Sequence, residues 1–381
     1  MESLLLIIIL ITGFLAVLYV GMILLFCYGW SKTSAQYSPS SGLIKVCVIV
    51  AARNEELVIN KCLQELAKQK YPKDRLEIIV VDDHSTDNTA KEIQKACDLH
   101  SNFKLLKAEG TGKKSAIETA IKITNAELIL TTDADCNMGE MWVEKMTAFY
   151  ENSEAGMIVG PVAFEKEGSA FEKMQSLELI ALMGTTAGSL YFNKAIMCNG
   201  ANLAYSRSLF NEVNGFNGNK HLASGDDVLL MYKIAGSKAG KIRFLKDQDA
   251  VVYTKAKESV ASFIEQRKRW ASKSFNVLNN ETRIVSLIVY FFSLFILLSA
   301  GLSLFASIKS MLYLPFLQIC LILFGIKCII DFLLLFLAAS FFKKRQFLYL
   351  FLPEQFIYYI YVVIAGFLGT KGNYVWKGRK I

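Results

Sequence analysis

Two blocks of the chain, residues 4–28 and 284–370, are too apolar for an ordinary water-soluble fold, and each is long enough to cross a bilayer. They account for a hydrophobic content of 53%, and they leave an interior of ordinary composition that can bury a core of its own. Leu4 to Cys27 lacks the basic start and small-residue cleavage site of a signal peptide, so residues 1–30 read as a retained anchor. Tyr28 and Trp30 stand where interfacial aromatics belong, and residues 31–44 read as a linker. At the other end, residues 284–308 and 312–341 can each span, and Lys343-Lys344-Arg345 marks a cytoplasmic exit. Lys327 and Asp331 lie i,i+4 inside the second of these, a spacing that lets them neutralise each other. Residues 347–370 are interrupted by Pro353-Glu354-Gln355 and run into a basic tail, 371–381, with Lys371, Lys377, Arg379 and Lys380. A full span there puts the tail outside, against the positive-inside rule; a re-entrant or interfacial segment keeps it cytoplasmic and is favoured.

The net charge of +8 is explained by Lys and Arg beside membrane spans, and no nucleic-acid-binding signature accompanies it. Eight scattered cysteines form no CxxC pair and three histidines are dispersed, which argues against a zinc site and a disulfide framework.

The interior, residues 45–258, alternates strand and helix. Val46 to Ala52 is a continuous apolar run of the kind that forms a parallel strand buried on both faces. A helical pattern through Val58, Cys62 and Leu66 follows, then a strand from Leu76 to Val81, and a helix from about Thr89 to Cys97. A strand from Lys104 to Ala108, a helix ending near Ile123 and a strand from Leu128 complete the βαβ alternation of a parallel sheet; Met157 to Val162 reads as one further strand. Residues 169–192 form a long helical pattern with an apolar face.

The strand ends are acidic. Leu128 to Thr132 runs into Asp133-Ala134-Asp135, and a backbone that stays extended through both acids sends their carboxylates to one face. Two hard oxygen donors at the carboxyl edge of a sheet suit Mg²⁺ or Mn²⁺ held with a substrate's phosphates; the plain alternative is an acidic turn. Asp82 and Asp83 either accept hydrogen bonds from a nucleoside or form an Asx turn. Lys113, after Gly110-Thr111-Gly112, either reaches a diphosphate or is a solvated loop lysine; the spacing is not that of a Walker A loop. Gly200 and Asn202 lie in a small-residue turn that lets backbone approach a ligand. In Ser224-Gly225-Asp226-Asp227 an acid or Ser224 caps a helix, or a carboxylate held ionised by the helix dipole serves as a general base. Residues 259–283 hold an amphipathic helix containing Gln266-Arg267-Lys268-Arg269-Trp270. It is either a basic face on the membrane surface or a clamp for a diphosphate and an acceptor ring.

Taken in order, Asp82-Asp83, Asp133-Ala134-Asp135, Asp227 and Gln266-x-x-Arg269-Trp270 resemble the signature of the membrane-bound inverting family-2 glycosyltransferases, over roughly residues 45–275. The resemblance implies a GT-A fold, a Rossmann-like α/β domain with a mostly parallel sheet flanked by transmembrane helices, and a nucleotide-sugar donor, most often UDP-linked. It further implies that Asp82 or Asp83 meets the nucleobase and that Lys113 helps place the nucleotide. Asp133 and Asp135 would position sugar, ribose and a divalent metal, with Asp135 the more direct ligand. Asp227 would be the base, and Gln266, Arg269 and Trp270 would close the acceptor and diphosphate side. Many members carry Glu-Asp where this chain has Asp226-Asp227, which keeps Asp226 open as an alternative base.

The expected enzyme sits in the cell membrane with its catalytic domain cytoplasmic and glycosylates a membrane lipid or lipid-linked hydroxyl. A processive polysaccharide synthase is the alternative; its translocation path would need a membrane partner or homo-oligomer to complete it. A non-catalytic scaffold and a nucleotidyltransferase remain as readings of another class.

Overall fold

The computed structural model describes residues 2–34, 37–218, 225–237, 240–276, 279–369, 375–376 and 379–380. The chain divides into two compact units. One comprises Lys32–Lys166 and Leu190–Ala256; the other comprises Met1–Ser31, Glu167–Ser189 and Lys257–Ile381. Glu167–Ser189, which falls inside a continuous 45–258 stretch in the sequence, therefore belongs by its contacts with the terminal helices.

The first unit is built on ten strands among its described residues: β1 (Val46–Ala52), β2 (Leu76–Asp82), β3 (Phe103–Lys107), β4 (Leu128–Asp133), β5 (Asn137–Met138), β6 (Met157–Val159), β7 (Val162–Phe164), β8 (Leu203–Ser206), β9 (Ile242–Phe244) and β10 (Val252–Thr254). Seven form one sheet in the order β3-β2-β1-β4-β8-β6-β9. β1, β2, β3 and β4 run parallel, whereas β8 is antiparallel to both β4 and β6. Helices Ile59–Ala67, Thr89–Leu99 and Lys113–Ile123 connect the parallel strands, as the alternating apolar runs and helical periods require. Val46 to Val50 are at most 1% exposed, so β1 is covered on both faces, which is why its sequence is a run rather than an alternation. The chain steps from β1 outward to β2 and β3, then returns to place β4 on the other side of β1. That reversal opens a crevice at the carboxyl ends of β1 and β4, the usual ligand position in such sheets.

The single strand expected over Met157 to Val162 is two. β6 belongs to the large sheet and β7 to a second sheet of order β5-β10-β7. Gly160 and Pro161 divide them: Pro161 has no N–H for a ladder, and a Cβ on Gly160 would lie 2.3 Å from the Asn202 side chain.

The second unit is helical, with Glu2–Lys32, Ala170–Tyr191, Val260–Asn276, Asn280–Lys309, Leu314–Phe341 and Phe351–Gly369. Four segments, Glu2–Lys32, Asn280–Lys309, Met311–Phe341 and Arg345–Phe367, are long and apolar enough to cross a membrane. Pro353 does not break the last one. It is the third residue of helix Phe351–Gly369, where no intrahelical N–H is needed, and the turn before it is 3₁₀. The basic tail side chains beyond it lie outside the described residues. Close approach of two helices depends on glycine: a Cβ on Gly188 would lie 2.4 Å from the Phe26 carbonyl oxygen.

Lys327 and Asp331, inside an apolar helix, match each other. Lys327 Nζ lies 2.7 Å from Asp331 Oδ2, and Tyr19 donates its hydroxyl to Asp331 Oδ1 at 2.7 Å. Lys327 also donates to the Gln355 side-chain oxygen and sits 4.4 Å and 4.5 Å from the ring centroids of Tyr358 and Tyr359. Lys327→Met alone strands Asp331 and is expected to destabilise the helical unit by about 3–5 kcal/mol. Lys327→Met with Asp331→Leu should recover most of the loss, read as the thermal unfolding midpoint in detergent.

Candidate active site

The site forms where β4 ends. Asp133 is the last residue of β4 and pairs with Ala51 of β1 at the carboxyl edge. The backbone does not remain extended beyond it. Cys136 N–H donates to the Asp133 carbonyl at 3.1 Å, closing a turn that buries Ala134 and leaves Asp135 exposed. The two carboxylates thus converge by a turn instead of by strand alternation. An oxygen of Asp133, an oxygen of Asp135 and the Cys136 Sγ lie within 4.8 Å of one another. Burial, together with the two neighbouring carboxylates, pushes the Cys136 thiol well above its ordinary pKa, so it stays protonated. The two carboxylates are hard oxygen donors, a set that fits Mg²⁺ or Mn²⁺.

Lys113 is brought to the same place from the start of helix Lys113–Ile123. Gly112 before it has φ +92°, a conformation reserved for glycine, and its N–H is held by Asp83 Oδ1 at 2.9 Å. Asp82 accepts the Ser85 N–H with both carboxylate oxygens, at 3.2 and 3.3 Å. Asp82 and Asp83 are 8% and 2% exposed, so the turn role is present and both acids shape the loops after β2 and β3.

Lys113 Nζ stands 2.5 Å from Asp133 Oδ1, 3.6 Å from Asp226 Oδ2 and 3.3 Å from the Gly200 carbonyl oxygen. Burial works against its charge, but Asp133, Asp226 and Asp227 outweigh that and raise its pKa above the ordinary lysine value. Lys113 is an ammonium among carboxylates, not a solvated loop lysine.

Asp226 and Asp227 open helix Asp226–Ala235 behind a left-handed Gly225; Ser224, the other candidate cap, lies outside the described residues. Asp227 Oδ2 accepts the Gly200 N–H at 3.0 Å and Oδ1 accepts the Val228 N–H at 2.8 Å. A Cβ on Gly200 would lie 3.1 Å from Lys113 Nζ and 3.3 Å from Asp227 Cβ, so glycine is what lets this turn approach both.

Asn202 has a different task from ligand contact. It is 0% exposed, accepts from Trp142 Nε1 at 2.9 Å, and donates to the carbonyls of Pro161 and Ala250 at 2.8 and 2.9 Å. Its amide ties the large sheet to the second one and has nothing left to offer a substrate.

Gln266, Arg269 and Trp270 lie on helix Val260–Asn276 of the helical unit. The residue that anchors this motif is one the sequence reading passed over. Arg267 is 6% exposed and pairs with Glu178 through two nitrogens, Nε at 3.1 Å and Nη2. Its guanidinium carbon lies 4.3 Å from the centroids of both Phe263 and Trp270, and Nη1 donates to the Gln266 side-chain oxygen at 2.7 Å. Tyr361 donates its hydroxyl to the same Glu178. The i−4 and i+3 aromatic neighbours were the available signal: Arg267 shares a helix face with Phe263 and Trp270.

The family description "Glycosyl transferase family 2" matches residues 47–213, which contain Asp82, Asp83, Lys113, Asp133, Asp135 and Gly200. The chain carries a family-2 glycosyltransferase domain. A probable glycosyltransferase, YdaM of Bacillus subtilis (strain 168), is 28% identical over 259 residues, covering 66% of this chain and 59% of the relative. The beta-monoglucosyldiacylglycerol synthase of Synechocystis sp. is 30% identical over 131 residues, 33% of this chain and 27% of that one. The matched part of the chain thus spans less than two thirds of these relatives, 59% and 27% of their lengths. Among solved structures, the mannosyltransferase PcManGT from Pyrobaculum calidifontis, in complex with GDP-Man and Mn²⁺, superposes with a TM-score of 0.56 over 96% of this chain and 98% of that one. At 17% identity that likeness establishes the fold alone, a GT-A-like α/β domain with a mostly parallel sheet, accompanied by long apolar helices.

Because Asn202 is structural in this domain, Asn202→Leu orphans one indole N–H and two carbonyls. It should lower stability by about 3 kcal/mol or more, read by chemical denaturation, while the apparent KM of the folded fraction stays unchanged.

Proposed function

We propose that the protein is a membrane-bound inverting glycosyltransferase that moves one sugar from a UDP-linked donor to a hydroxyl of a membrane lipid at the cytoplasmic face. The observation that carries this reading is the meeting of Asp133, Asp135, Asp226, Asp227 and Lys113 at the crevice beside β1 and β4, in a chain whose described residues include four segments able to cross a membrane. A crevice with paired acids and one ammonium suits a diphosphate bound with a divalent cation. Lys343, Lys344 and Arg345, at the end of an apolar helix, support a cytoplasmic orientation. The beta-monoglucosyldiacylglycerol synthase relative supports a lipid acceptor.

Asp135, with Asp133, would hold the Mg²⁺ or Mn²⁺, which when bound neutralises charge on the leaving diphosphate. Asp82 and Asp83 frame the nucleoside side through the loops they hold, and Lys113 faces the diphosphate. Asp227 is the general base. It sits at a helix N-terminus and accepts two backbone N–H bonds, which fix its direction. Asp226 is the neighbour of Lys113 and helps hold that cation, which leaves the proton transfer to Asp227. In the reaction Asp227 takes the acceptor hydroxyl proton, the acceptor oxygen bonds to the anomeric carbon, and the carbon–oxygen bond to the diphosphate breaks with its electron pair leaving on the nucleoside diphosphate. One displacement inverts the anomeric centre. The resemblance assigns Gln266, Arg269 and Trp270 to the acceptor and the departing diphosphate, and Arg267 holds the helix that carries them.

Purified membranes offered a panel of nucleotide sugars should release nucleoside diphosphate in a Mn²⁺-dependent way and yield a lipid heavier by one sugar. Release of pyrophosphate would point to nucleotidyl transfer, and a product ladder to a processive synthase. Asp227→Asn should cut turnover by about 10²–10⁴-fold with donor affinity preserved; wild-type turnover in that variant would remove Asp227 from the role.

A further inference from the structure

Lys113 and the acid pair stand in a relation that a simple list of donor-binding residues does not contain. The ammonium sits directly on Asp133, at 2.5 Å, and Asp133 is one of the two carboxylates available to a divalent cation. Asp226 at 3.6 Å and the Gly200 carbonyl at 3.3 Å complete its cradle. A cation bound by Asp133 and Asp135 would share a carboxylate with this ammonium, and the two positive charges would repel at contact range. The lysine backbone is fixed, because Asp83 pins Gly112 and helix Lys113–Ile123 follows at once, but its four-carbon stem can swing.

We infer that Lys113 is a built-in counter-ion that occupies the metal carboxylate Asp133 in the donor-free protein, and that a nucleoside diphosphate opens the metal site by drawing the ammonium onto its phosphates. This rests on the donor and metal reading above. It makes metal and nucleotide binding mutually reinforcing through a protein side chain as well as through direct contact between them, and linkage requires the effect to be reciprocal. In the absence of nucleotide, Lys113 offsets the charge of Asp133, which weakens the pull of the acid pair on free divalent ions.

The test is equilibrium binding to the full-length protein in detergent, with no turnover involved. Mn²⁺ is titrated by electron paramagnetic resonance without nucleotide and with saturating UDP. Wild type should bind Mn²⁺ weakly alone and more tightly with UDP. Lys113→Gln and Lys113→Met should bind Mn²⁺ alone about tenfold more tightly, about 1.4 kcal/mol, and gain less from UDP. Lys113→Arg, which keeps the charge, should resemble wild type. Unchanged nucleotide-free affinity in both neutral variants, with UDP still tightening wild type, overturns the inference and leaves the metal reading intact. So does a gain in Lys113→Arg equal to that in Lys113→Gln. No Mn²⁺ binding to wild type even with UDP overturns both.

A second measurement dispenses with metal. With EDTA present, Asp133→Asn frees the ammonium and should bind UDP several-fold more tightly than wild type. The gain should vanish in Asp133→Asn with Lys113→Gln; a gain that persists in the double variant overturns the inference.

Discussion

The site is governed by the cost of gathering like charges. Asp133, Asp135, Asp226 and Asp227 come from two separate stretches of chain and meet at one sheet edge, where Lys113 is drawn among them from a third. Carboxylates this close repel unless cations or N–H donors offset them. The fold provides both. Lys113 serves two acids, the Gly200 and Val228 N–H groups serve Asp227, and the helix beginning at Asp226 places its positive end there. Much of the surrounding architecture exists to allow this. Gly112 takes a conformation only glycine tolerates so that Lys113 begins a helix at the right point, Asp83 is consumed in holding it, and Gly200 has no side chain because two functional groups occupy that space.

The parallel sheet was readable because its strands are buried on both faces and announce themselves as unbroken apolar runs, as Val46–Ala52 and Leu128–Leu130 do. The order of the acidic motifs was readable because each follows a strand or opens a helix. What was not readable was the conformation within each motif. Asp133 and Asp135 converge through a turn, and sequence spacing cannot separate a turn from a continued strand when both put the acids together. Asn202 sits among glycine and alanine and resembles a ligand loop, yet its three hydrogen-bond partners lie far away in the chain. Gly160-Pro161 splits one apolar run between two sheets for the same long-range reason, a buried Asn202 that needs the room.

In the helical unit the sequence identified the polar residues but only part of their partnership. Lys327 and Asp331 pair as their i,i+4 spacing requires. Tyr19 and Gln355, from helices distant in sequence, complete the cluster. Arg267 was masked by its setting: in a basic run it reads as surface charge, whereas it is the one member of Gln266–Trp270 that is buried, held by Glu178 and flanked by two aromatic rings. Gln266 and Trp270 take their orientation from it. A glycine-mediated approach at Gly188 and matched charge at Lys327 and Arg267 are the means by which this unit fixes its helices, since apolar burial alone distinguishes little between one lipid-compatible packing and another.

The central claim is that the acid pair at the end of β4 holds a nucleoside diphosphate through a divalent cation. Its most direct test is a crystal or cryo-trapped structure of the protein with UDP and Mn²⁺, with the metal located by its anomalous scattering. The account requires the peak to be ligated by Asp135, with or without Asp133, and by the diphosphate oxygens, with Lys113 moved from Asp133 to the phosphates. UDP bound in the crevice with the manganese elsewhere, or with Lys113 still on Asp133, would contradict it.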